Sequence, residues 1–480
     1  MASIDPLLRM PQVCLAASRK AGKLLSPEDS TYDERRHCEE AYHTALIHHL
    51  GGEHVLPYSL KYISPHPVLV PNRFISSLKE FHAALSIALT NIVQRWFADD
   101  TDLPSRMPLE RNEEDILRWI HQLTERNLFP AYDGHQGNWR PDFLLPRDKE
   151  GFQICEINSR FPSNGIDLTA MIYKSLDDSK IKPLDLDVAA DPEHMLNCLT
   201  ALFHSTQARS LHFVQNEENH PMVENLMRFL ADLNPRVLTS DDLHLISDES
   251  SPTGYKLQSA DMEDIQQVAL RLFTRELASL SPEMQRQLAF HSCNDIRSIL
   301  LIHDKRILGI LHQELDDLVT KHRVLTQRQA DLLREHIIFT ILPGSKELQE
   351  LSDSYYQGKV SKNDFILKPI RSGRGQGIAF GEDLSISEWE AILADMKNPE
   401  ITIPNRTVYI IQPVVEQAEG DMFLDEETGV QRVQRVGTYH SMHGEFAALG
   451  AWRVGISANR TTNMALGDAW KLGSMLMKMN

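Results

Sequence analysis

The fold of this chain is decided by residues 152–165, which read FQICEINSRFPSNG. Apolar residues such as Ile154 indicate a buried strand, and a proline followed by a glycine indicates where the strand stops. Alternate side chains of a strand point the same way, so Glu156, Asn158 and Arg160 are predicted to share one face. One carboxylate and one amide oxygen, held about 7 Å apart by the pleat, suit Mg²⁺, which takes oxygen ligands. The stretch therefore predicts a metal site on a strand face.

The segment before it, NWRPDFLL (138–145), is predicted to be the adjacent antiparallel strand. By the same alternation it presents Arg140 and Asp142 on one face. Three oxygen ligands and two guanidinium groups would then converge. A second interpretation stays open at this point, in which Glu156 to Arg160 form a ladder of ions on an exposed sheet face.

A glycine-rich loop follows another apolar strand within DFILKPIRSGRGQGIAFG (364–381). The strand delivers Lys368, and the glycines expose backbone amides that can hold an oligophosphate together with cationic side chains. The pattern matches neither the dinucleotide fingerprint nor the Walker loop, and a plain hairpin turn stays open as the alternative. We predict a lid that orders over bound phosphate. The predicted loop residues are Arg371, Ser372, Gly373, Arg374, Gly375, Gln376 and Gly377.

A third feature is the apolar strand VYIIQPVVEQ (408–417), which ends in a polar bend containing proline. Such a strand end can offer backbone groups and Gln412 to an adenine ring while Val408 and Ile410 pack nearby. A buried strand that simply runs into a loop is the alternative interpretation.

Composition narrows the class of protein. The chain has 480 residues and a formal net charge of −18. The length predicts two or three packed lobes, and the charge argues against a general affinity for nucleic acid or an anionic membrane. Five cysteines without a CxxC pair or any zinc spacing fit a reducing cytosol. With no signal peptide and no long apolar run, we expect a soluble cytoplasmic protein.

Several histidines also stand out, but their spacing matches no metal motif. They are predicted to be packing or surface residues: His135, His303, His440 and His443.

Apolar periodicity predicts helices at 34–50 and 77–98, and loops are predicted at 99–114 and 247–262, where turn-forming residues cluster. Residues 210–239 read as strand, helix and strand, which requires a parallel pairing with a right-handed crossover. The C-terminal part of the chain predicts a mainly antiparallel sheet, with a hairpin at DEETGV.

A strand lysine, a glycine-rich loop, an adenine hinge and a Glu-x-Asn metal strand together resemble the ATP-grasp fold. Most ATP-grasp enzymes carry the metal strand last, whereas here CEINSR (155–160) precedes LKPIRSGRG (367–375). That order resembles the circularly permuted branch, which includes eukaryotic glutathione synthetase and glutathionylspermidine synthase. The resemblance covers roughly residues 135–170 and 290–455.

The resemblance implies roles for individual residues. It implies metal binding by Asp142, Glu156 and Asn158, catalytic arginines at Arg140 and Arg453, nucleotide contacts by Lys305 and Lys368, a hinge at Gln412, Val414 and Glu416, and a substrate contact by Arg160. Relatives that resemble glutathione synthetase carry a glutamate in the glycine loop, where this chain has Ser372 and Gln376. Whether the loop supplies a metal ligand is therefore left open.

The resemblance also implies a fold class and its division along the chain. We expect an α+β, or mixed α/β, protein with a circularly permuted ATP-grasp fold and an inserted small α/β subdomain. Residues 1–205 would hold N-terminal helices and the metal strands, 206–290 the inserted subdomain, and 291–480 the ATP-binding lobe.

The implied function is an ATP-dependent carboxylate–amine ligase that works through an acyl phosphate, with ATP and Mg²⁺ as cofactors. Its substrates would be an amino acid, a small peptide or a specialised metabolite. A phosphotransferase acting on a small molecule and a non-catalytic nucleotide-binding regulator are the alternatives. We expect small-molecule carboxylate and amine partners, no nucleic acid and no membrane, and a homodimer is left open.

Overall fold

The computed structural model describes residues 10–56, 59–203, 210–217, 222–371, 373, 375–401, 406–456 and 469–478. In this part of the chain, every helix is too short or too polar to span a bilayer. The mixture of helices and sheets confirms the predicted mixed class.

Helices cover much of the N-terminal half of the chain. The α-helices of the described residues are α1 Leu15–Ala21, α2 Tyr32–Leu50, α3 Asn72–Gln94, α4 Leu103–Arg106, α5 Arg111–Glu125, α6 Ile166–Asp178, α7 Pro192–Phe203, α8 Met222–Phe229, α9 Thr274–Ala278, α10 Pro282–His291, α11 Ile307–Thr320, α12 Gln327–His336, α13 Lys346–Tyr356 and α14 Ile386–Asp395.

Most strands are short, and the longest lies in the C-terminal part. The strands of the described residues are β1 Val68–Leu69, β2 Asn138–Leu144, β3 Gln153–Asn158, β4 Leu186–Val188, β5 His212–Val214, β6 Arg236–Leu238, β7 Leu243–Ser247, β8 Tyr255–Ser259, β9 Asp264–Ile265, β10 Val268–Leu270, β11 Phe365–Pro369, β12 Ala379–Phe380, β13 Tyr409–Pro413, β14 Glu419–Phe423, β15 Val430–Met442, β16 Glu445–Leu449, β17 Trp452–Ile456, β18 Ala469–Leu472 and β19 Ser474–Met477.

The central sheet joins strands that are distant in sequence. Its order is β18-β17-β15-β2-β3, and β14 and β16 also pair with β15. Neighbouring strands of this sheet run antiparallel, which confirms both the predicted β2–β3 pairing and the C-terminal antiparallel sheet. The predicted DEETGV hairpin joins β14 to β15, where Gly429 has a φ of 67°.

A smaller antiparallel sheet, in the order β12-β11-β13, carries the strand of Lys368. Its two faces bury different apolar groups. Leu367 and Ile411 pack in one cluster with Trp389, whereas Ile410 belongs to the main core. Alternation along the strands therefore directs Lys368, which pairs with Ile410 in register, toward the main body of the protein.

The segment after α12 holds the two sheets together. The N–H of Ile338 donates to the carbonyl of Ile154 on β3 at 3.0 Å, and the N–H of Ile341 donates to the carbonyl of Ile411 on β13 at 2.8 Å. A few residues of extended chain thus fix the position of the small sheet beside the end of the central sheet.

Helix α3 confirms the prediction for 77–98, although it begins five residues earlier, at Asn72. Leu78, Phe81, Leu85 and Leu89 are all 0% exposed and repeat at helical spacing, so they form one apolar face. The helix predicted at 34–50 is also confirmed, as α2. Its capping box at Thr31 and Glu34 satisfies backbone groups at its start.

The inserted region contains the predicted parallel unit, in which β5 pairs in parallel with both β6 and β10. The predicted loop at 247–262 is wrong in part, because β8 lies within it and pairs antiparallel with β7. Leu257 is buried in β8, so the strand forms where its apolar side chain reaches a core.

The predicted loop at 99–114 is also wrong in part, because it contains α4 and the start of α5. A capping box of Glu110 and Glu113 starts α5.

Close packing of aromatic rings against β15 generates a prediction about stability. A Cβ on Gly437 of β15 would lie 2.1 Å from the ring of Phe143 and 2.7 Å from that of Trp452, whereas a Cβ on Gly420 of β14 would meet no atom within 4 Å. We expect Gly437→Ala to lower the free energy of unfolding by about 1–3 kcal/mol, because the rings must shift. Gly420→Ala should change it by less than about 0.5 kcal/mol. Urea unfolding of both variants measures the difference, and equal stabilities would contradict the packing described.

Candidate active site

The predicted metal ligands lie on two neighbouring strands of the central sheet. In the β2–β3 ladder, Arg140 is paired with Asn158, and Asp142 with Glu156. The side chains of these registered pairs emerge on one face of the sheet. The structure therefore brings together the three predicted oxygen ligands and the arginine beside them.

Asp142 is the most buried member of this group, at 1% exposure. Arg140 Nε lies 3.2 Å from its Oδ1, and Asn158 Nδ2 lies 3.3 Å from its Oδ2. Arg453 of β17 donates a further hydrogen bond to Oδ2. Two guanidinium groups thus compensate the desolvation of one carboxylate, which a buried charge requires.

Glu156 faces a second set of cations. Lys305 Nζ lies 3.5 Å from its Oε2. Burial raises the pKa of the Glu156 carboxyl, but the charges of Lys305, Lys368, Arg453 and Arg140 outweigh burial and hold it well below its usual range. Glu156 is therefore an anion across the physiological pH range.

The two predicted nucleotide lysines come from different segments and meet at this site. Lys305 precedes α11, and its backbone N–H donates to the carbonyl of Ile370 at 3.1 Å, just after β11. Lys305 and Lys368 are 6% and 8% exposed, although long cationic side chains are almost never buried without partners. Glu156 supplies the opposite charge for both.

Residues Asp142, Glu156 and Asn158 fit a magnesium ion by their chemistry, because all three offer oxygen atoms. Asn158 points its Nδ2 at Asp142 and lies 3.5 Å from Glu156 Oε1. A rotation of the amide would turn its Oδ1 toward the two carboxylates instead. Three oxygen donors would then face one point.

Lys471 of β18 is a site residue that the sequence analysis missed. It is paired in register with Arg453. Burial, aided by the charges of Arg140 and Arg453 and opposed by those of Asp167 and Asp142, lowers its pKa from the ordinary 10.5 to about 7. Together Lys471, Arg453 and Arg140 make a cationic edge beside the carboxylates. The sequence offered little indication of Lys471 as a site residue, because only the alternation in AWKL (469–472) indicates a strand there.

Arg160 departs from the prediction. Strand β3 ends at Asn158, so the alternation does not continue to Arg160, and the expected shared face is wrong at this residue. Its guanidinium carbon instead lies 4.3 Å from the ring centroid of Phe161 and 4.5 Å from that of Phe273. The substrate contact that the resemblance implies for Arg160 stays a prediction.

Arg371 was predicted to contact phosphate, but its guanidinium is paired with two carboxylates of the protein. Its NH1 lies 2.7 Å from Glu113 and its Nε lies 3.1 Å from Asp304. Asp304 also binds Arg306 at 2.8 Å. The structure thus uses the Arg371 guanidinium to anchor the start of the glycine loop to α5 and to the segment before α11.

The rest of the glycine loop lies at the surface. Gly373, Gly375, Gln376 and Gly377 are exposed. Gly375 and Gly377 have φ values of 72° and 75°, which other residues rarely adopt. Ser372 and Arg374 lie outside the described residues, so the lid stays a prediction.

The predicted adenine hinge is only partly open to a ligand. Gln412 is 0% exposed, and its Nε2 donates to Thr340 Oγ1 at 2.8 Å, so the expectation of an accessible Gln412 side chain is wrong. The N–H of Val414 donates to the carbonyl of Asp364, and the carbonyl of Glu416 accepts from Arg147. Those two backbone groups already form hydrogen bonds within the protein, because the bend packs between the segments of Asp364 and Arg147.

The buried histidines behave as the packing residues we predicted. His440 is 1% exposed. Burial, aided by the charges of Arg160 and Lys305, lowers the pKa of His303 to about 3, so this ring is neutral. His135 is exposed, and His443 is half-buried.

Comparisons with known proteins show which family the chain is similar to. Residues 81–301 match a family model described as the AnkG N-terminal domain. A protein of Aspergillus thermomutatus named ATP-grasp enzyme ankG is 36% identical over 474 residues, which covers 92% of this chain and 95% of that protein. Among solved structures, a glutathione synthetase-like effector from Globodera pallida, in its apo form, matches with 11% identity and a TM-score of 0.48, covering 94% of this chain and 99% of that one.

The anchor of the glycine loop generates a prediction about pH. Burial raises the pKa of Asp304, but Arg306 and Arg371 outweigh burial and hold it at about 2, below its ordinary value of 3.8. A lowered folded-state pKa adds stability above the unfolded pKa and loses it as the pH falls toward the folded one. Asp304→Asn should therefore lower the free energy of unfolding by about 3 kcal/mol near pH 7. The gap to the unaltered protein should narrow by about 1 kcal/mol by about pH 3.

Urea unfolding of both proteins across this pH range measures the gap. Asp421→Asn is the matched control, because Asp421 pairs with Arg432 at an exposed position and such pairs contribute little. A gap that stays constant with pH would contradict the assignment.

Proposed function

The chain belongs to the ATP-grasp enzymes, and from that premise we propose that it is a ligase that uses ATP to join a carboxylate to an amine. The observation that carries the proposal is the convergence of Asp142, Glu156 and Asn158 with five cations from five separate segments. Those cations are Arg140, Lys305, Lys368, Arg453 and Lys471. Such an excess of positive charge suits a polyanionic substrate.

In this proposal the triphosphate lies between the small sheet and the central sheet. Lys368 approaches from β11 and Lys305 from the segment before α11, so each neutralises phosphate charge from a different side. Backbone groups of the bend after β13, other than the N–H of Val414 and the carbonyl of Glu416, which are bonded within the protein, would hold the adenine ring. The glycine loop, anchored through Arg371, would cover the phosphates and exclude water.

Asp142, Glu156 and Asn158 would hold Mg²⁺ through their side-chain oxygens. Bound there, Mg²⁺ would neutralise part of the charge on the phosphates during transfer. Glu156 is already ionised, so it needs to lose no proton before it can act as a ligand.

The cationic edge of Lys471, Arg453 and Arg140 would receive the substrate carboxylate. One carboxylate oxygen attacks the γ-phosphorus of ATP, the bond to ADP breaks, and an acyl phosphate forms. The amine nitrogen then attacks the acyl carbon, phosphate leaves, and the nitrogen gives up a proton. No protein nucleophile takes part, so catalysis depends on position and charge.

The order of the segments supports our proposal that the chain is of the circularly permuted kind, because its metal strands β2 and β3 precede the nucleotide strand β11. The division into 1–205, 206–290 and 291–480 is part of the same proposal. Strands from the first and third ranges share the central sheet, which would make them one catalytic unit with an insert.

The reaction class is tested by ADP release with panels of acids and amines, followed by mass spectrometry of the product. A ligase releases ADP at full rate only when both an acid and an amine are present, and the product has lost one water. ADP release with the acid alone, together with a stable phosphorylated product, would identify a phosphotransferase instead. Nucleotide binding without any turnover would identify a regulator.

The role of Glu156 generates a prediction for catalysis. Glu156→Gln keeps the shape of the side chain and removes its charge, so we expect turnover to fall by at least about 100-fold and the Mg²⁺ needed for half-maximal rate to rise. Glu150→Gln alters an exposed carboxyl between the same two strands and should leave both quantities unchanged. Full activity of Glu156→Gln at low Mg²⁺ would remove Glu156 from the metal set.

The role of Lys368 generates a prediction for binding. Lys368→Ala removes a phosphate contact, so ATP affinity measured by calorimetry should fall by about tenfold or more, while the fold persists. Lys359→Ala, an exposed lysine in the same lobe, is the control and should bind ATP normally. Equal affinity in the two variants would place Lys368 outside the nucleotide site.

A further inference from the structure

A buried cluster of two cysteines and a histidine lies away from the proposed active site. Cys14 caps the start of α1, Cys38 lies within α2, and His66 precedes β1. The two cysteines are 0% exposed and His66 is 1% exposed. Sequence spacing showed no zinc motif, because the three residues come from separate segments that only the fold brings together.

The geometry of the cluster suits a metal ion. The sulfurs of Cys14 and Cys38 are 3.6 Å apart, and a ring nitrogen of His66 lies within 4.8 Å of both. Two thiolates at about 2.3 Å from one tetrahedral ion would be about 3.8 Å apart. The sulfurs therefore already sit close to the separation that shared coordination requires.

The polar atoms of the cluster are incompletely satisfied within the protein. His66 Nδ1 is buried and has no hydrogen-bond partner in the described part of the chain, although buried polar atoms are nearly always bonded. A disulfide between the two cysteines would leave this imidazole without a role. An ion bound to both sulfurs and to the imidazole would use all three side chains.

The surroundings favour a thiolate. The backbone N–H of Ala16 donates to Cys38 Sγ at 3.2 Å, the kind of outer contact that supports a metal ligand. A metal ion bound to both sulfurs would replace their thiol protons.

We propose that Cys14, Cys38 and His66 form a binding site for one thiophilic metal ion of the Zn²⁺ class. Soft thiolate ligands together with imidazole select such ions over Mg²⁺. The ion would tie the N-terminal segment to α2 and to the chain entering β1. Its role is structural, and it does not depend on the ligase activity proposed above.

The test uses the full-length protein, stripped of metal by a chelator and then titrated with Zn²⁺ and separately with Co²⁺. We expect one equivalent of Zn²⁺ to bind and to raise the melting temperature. X-ray absorption at zinc should show two sulfur ligands and one nitrogen ligand, and Co²⁺ should give a thiolate charge-transfer band. These readouts need only the unaltered protein.

Variants locate the site. Cys38→Ser and His66→Asn should each weaken Zn²⁺ binding by more than about 100-fold, whereas Cys198→Ser, a half-buried cysteine on α7, should bind Zn²⁺ as the unaltered protein does. The proposal is overturned if the unaltered protein takes up no Zn²⁺ or if zinc shows no sulfur ligands. It is equally overturned if peptide mapping of freshly isolated protein finds Cys14 linked to Cys38 by a disulfide.

Discussion

The antiparallel pairing of β2 with β3 is the constraint on which the proposed site depends. It places Asp142 opposite Glu156 and Arg140 opposite Asn158, and no local feature of either strand could do so alone. A shift of one residue would move one set of side chains to the other face of the sheet. Phe143 and Ile154, both 0% exposed and paired in the same ladder, resist such a shift because it would bring them out of the core.

The proposed site also depends on charge compensation. The cations stabilise the carboxylates, and the carboxylates reduce the repulsion among the cations. The buried carboxylate of Asp142 and the partly exposed carboxylate of Glu156 could not be held side by side at acceptable cost without the arginines and lysines that surround them. The cations in turn repel one another, and burial between Arg140 and Arg453 lowers the pKa of Lys471 to about 7. A bound polyanion would relieve this repulsion. The cluster of cations therefore favours the binding of a nucleotide and of an acid.

The surrounding structure keeps these charges in position. Contacts of Ile338 and Ile341 with the two sheets set the distance between Lys368 and the carboxylates, and the ion pairs of Arg371 with Glu113 and Asp304 fasten the loop after β11. These partners are far apart along the chain. The site therefore depends on the integrity of the whole core.

Features that depend on residues close together in the chain could be predicted from the sequence. The strand around Glu156 and Asn158, the alternation that aims them, and the Lys368 strand with its glycines could all be predicted, because strand periodicity and glycine chemistry act locally. The same local rule failed at Arg160, where the strand had already ended. Four features could be seen only in the folded protein: the burial of Gln412, the contact of Arg371 with Asp304, the place of Lys471 beside Arg453, and the contact of Cys14 with Cys38. Each of these outcomes depends on contacts between segments that are distant in the sequence. A local sequence pattern does not specify which distant side chain will be in contact.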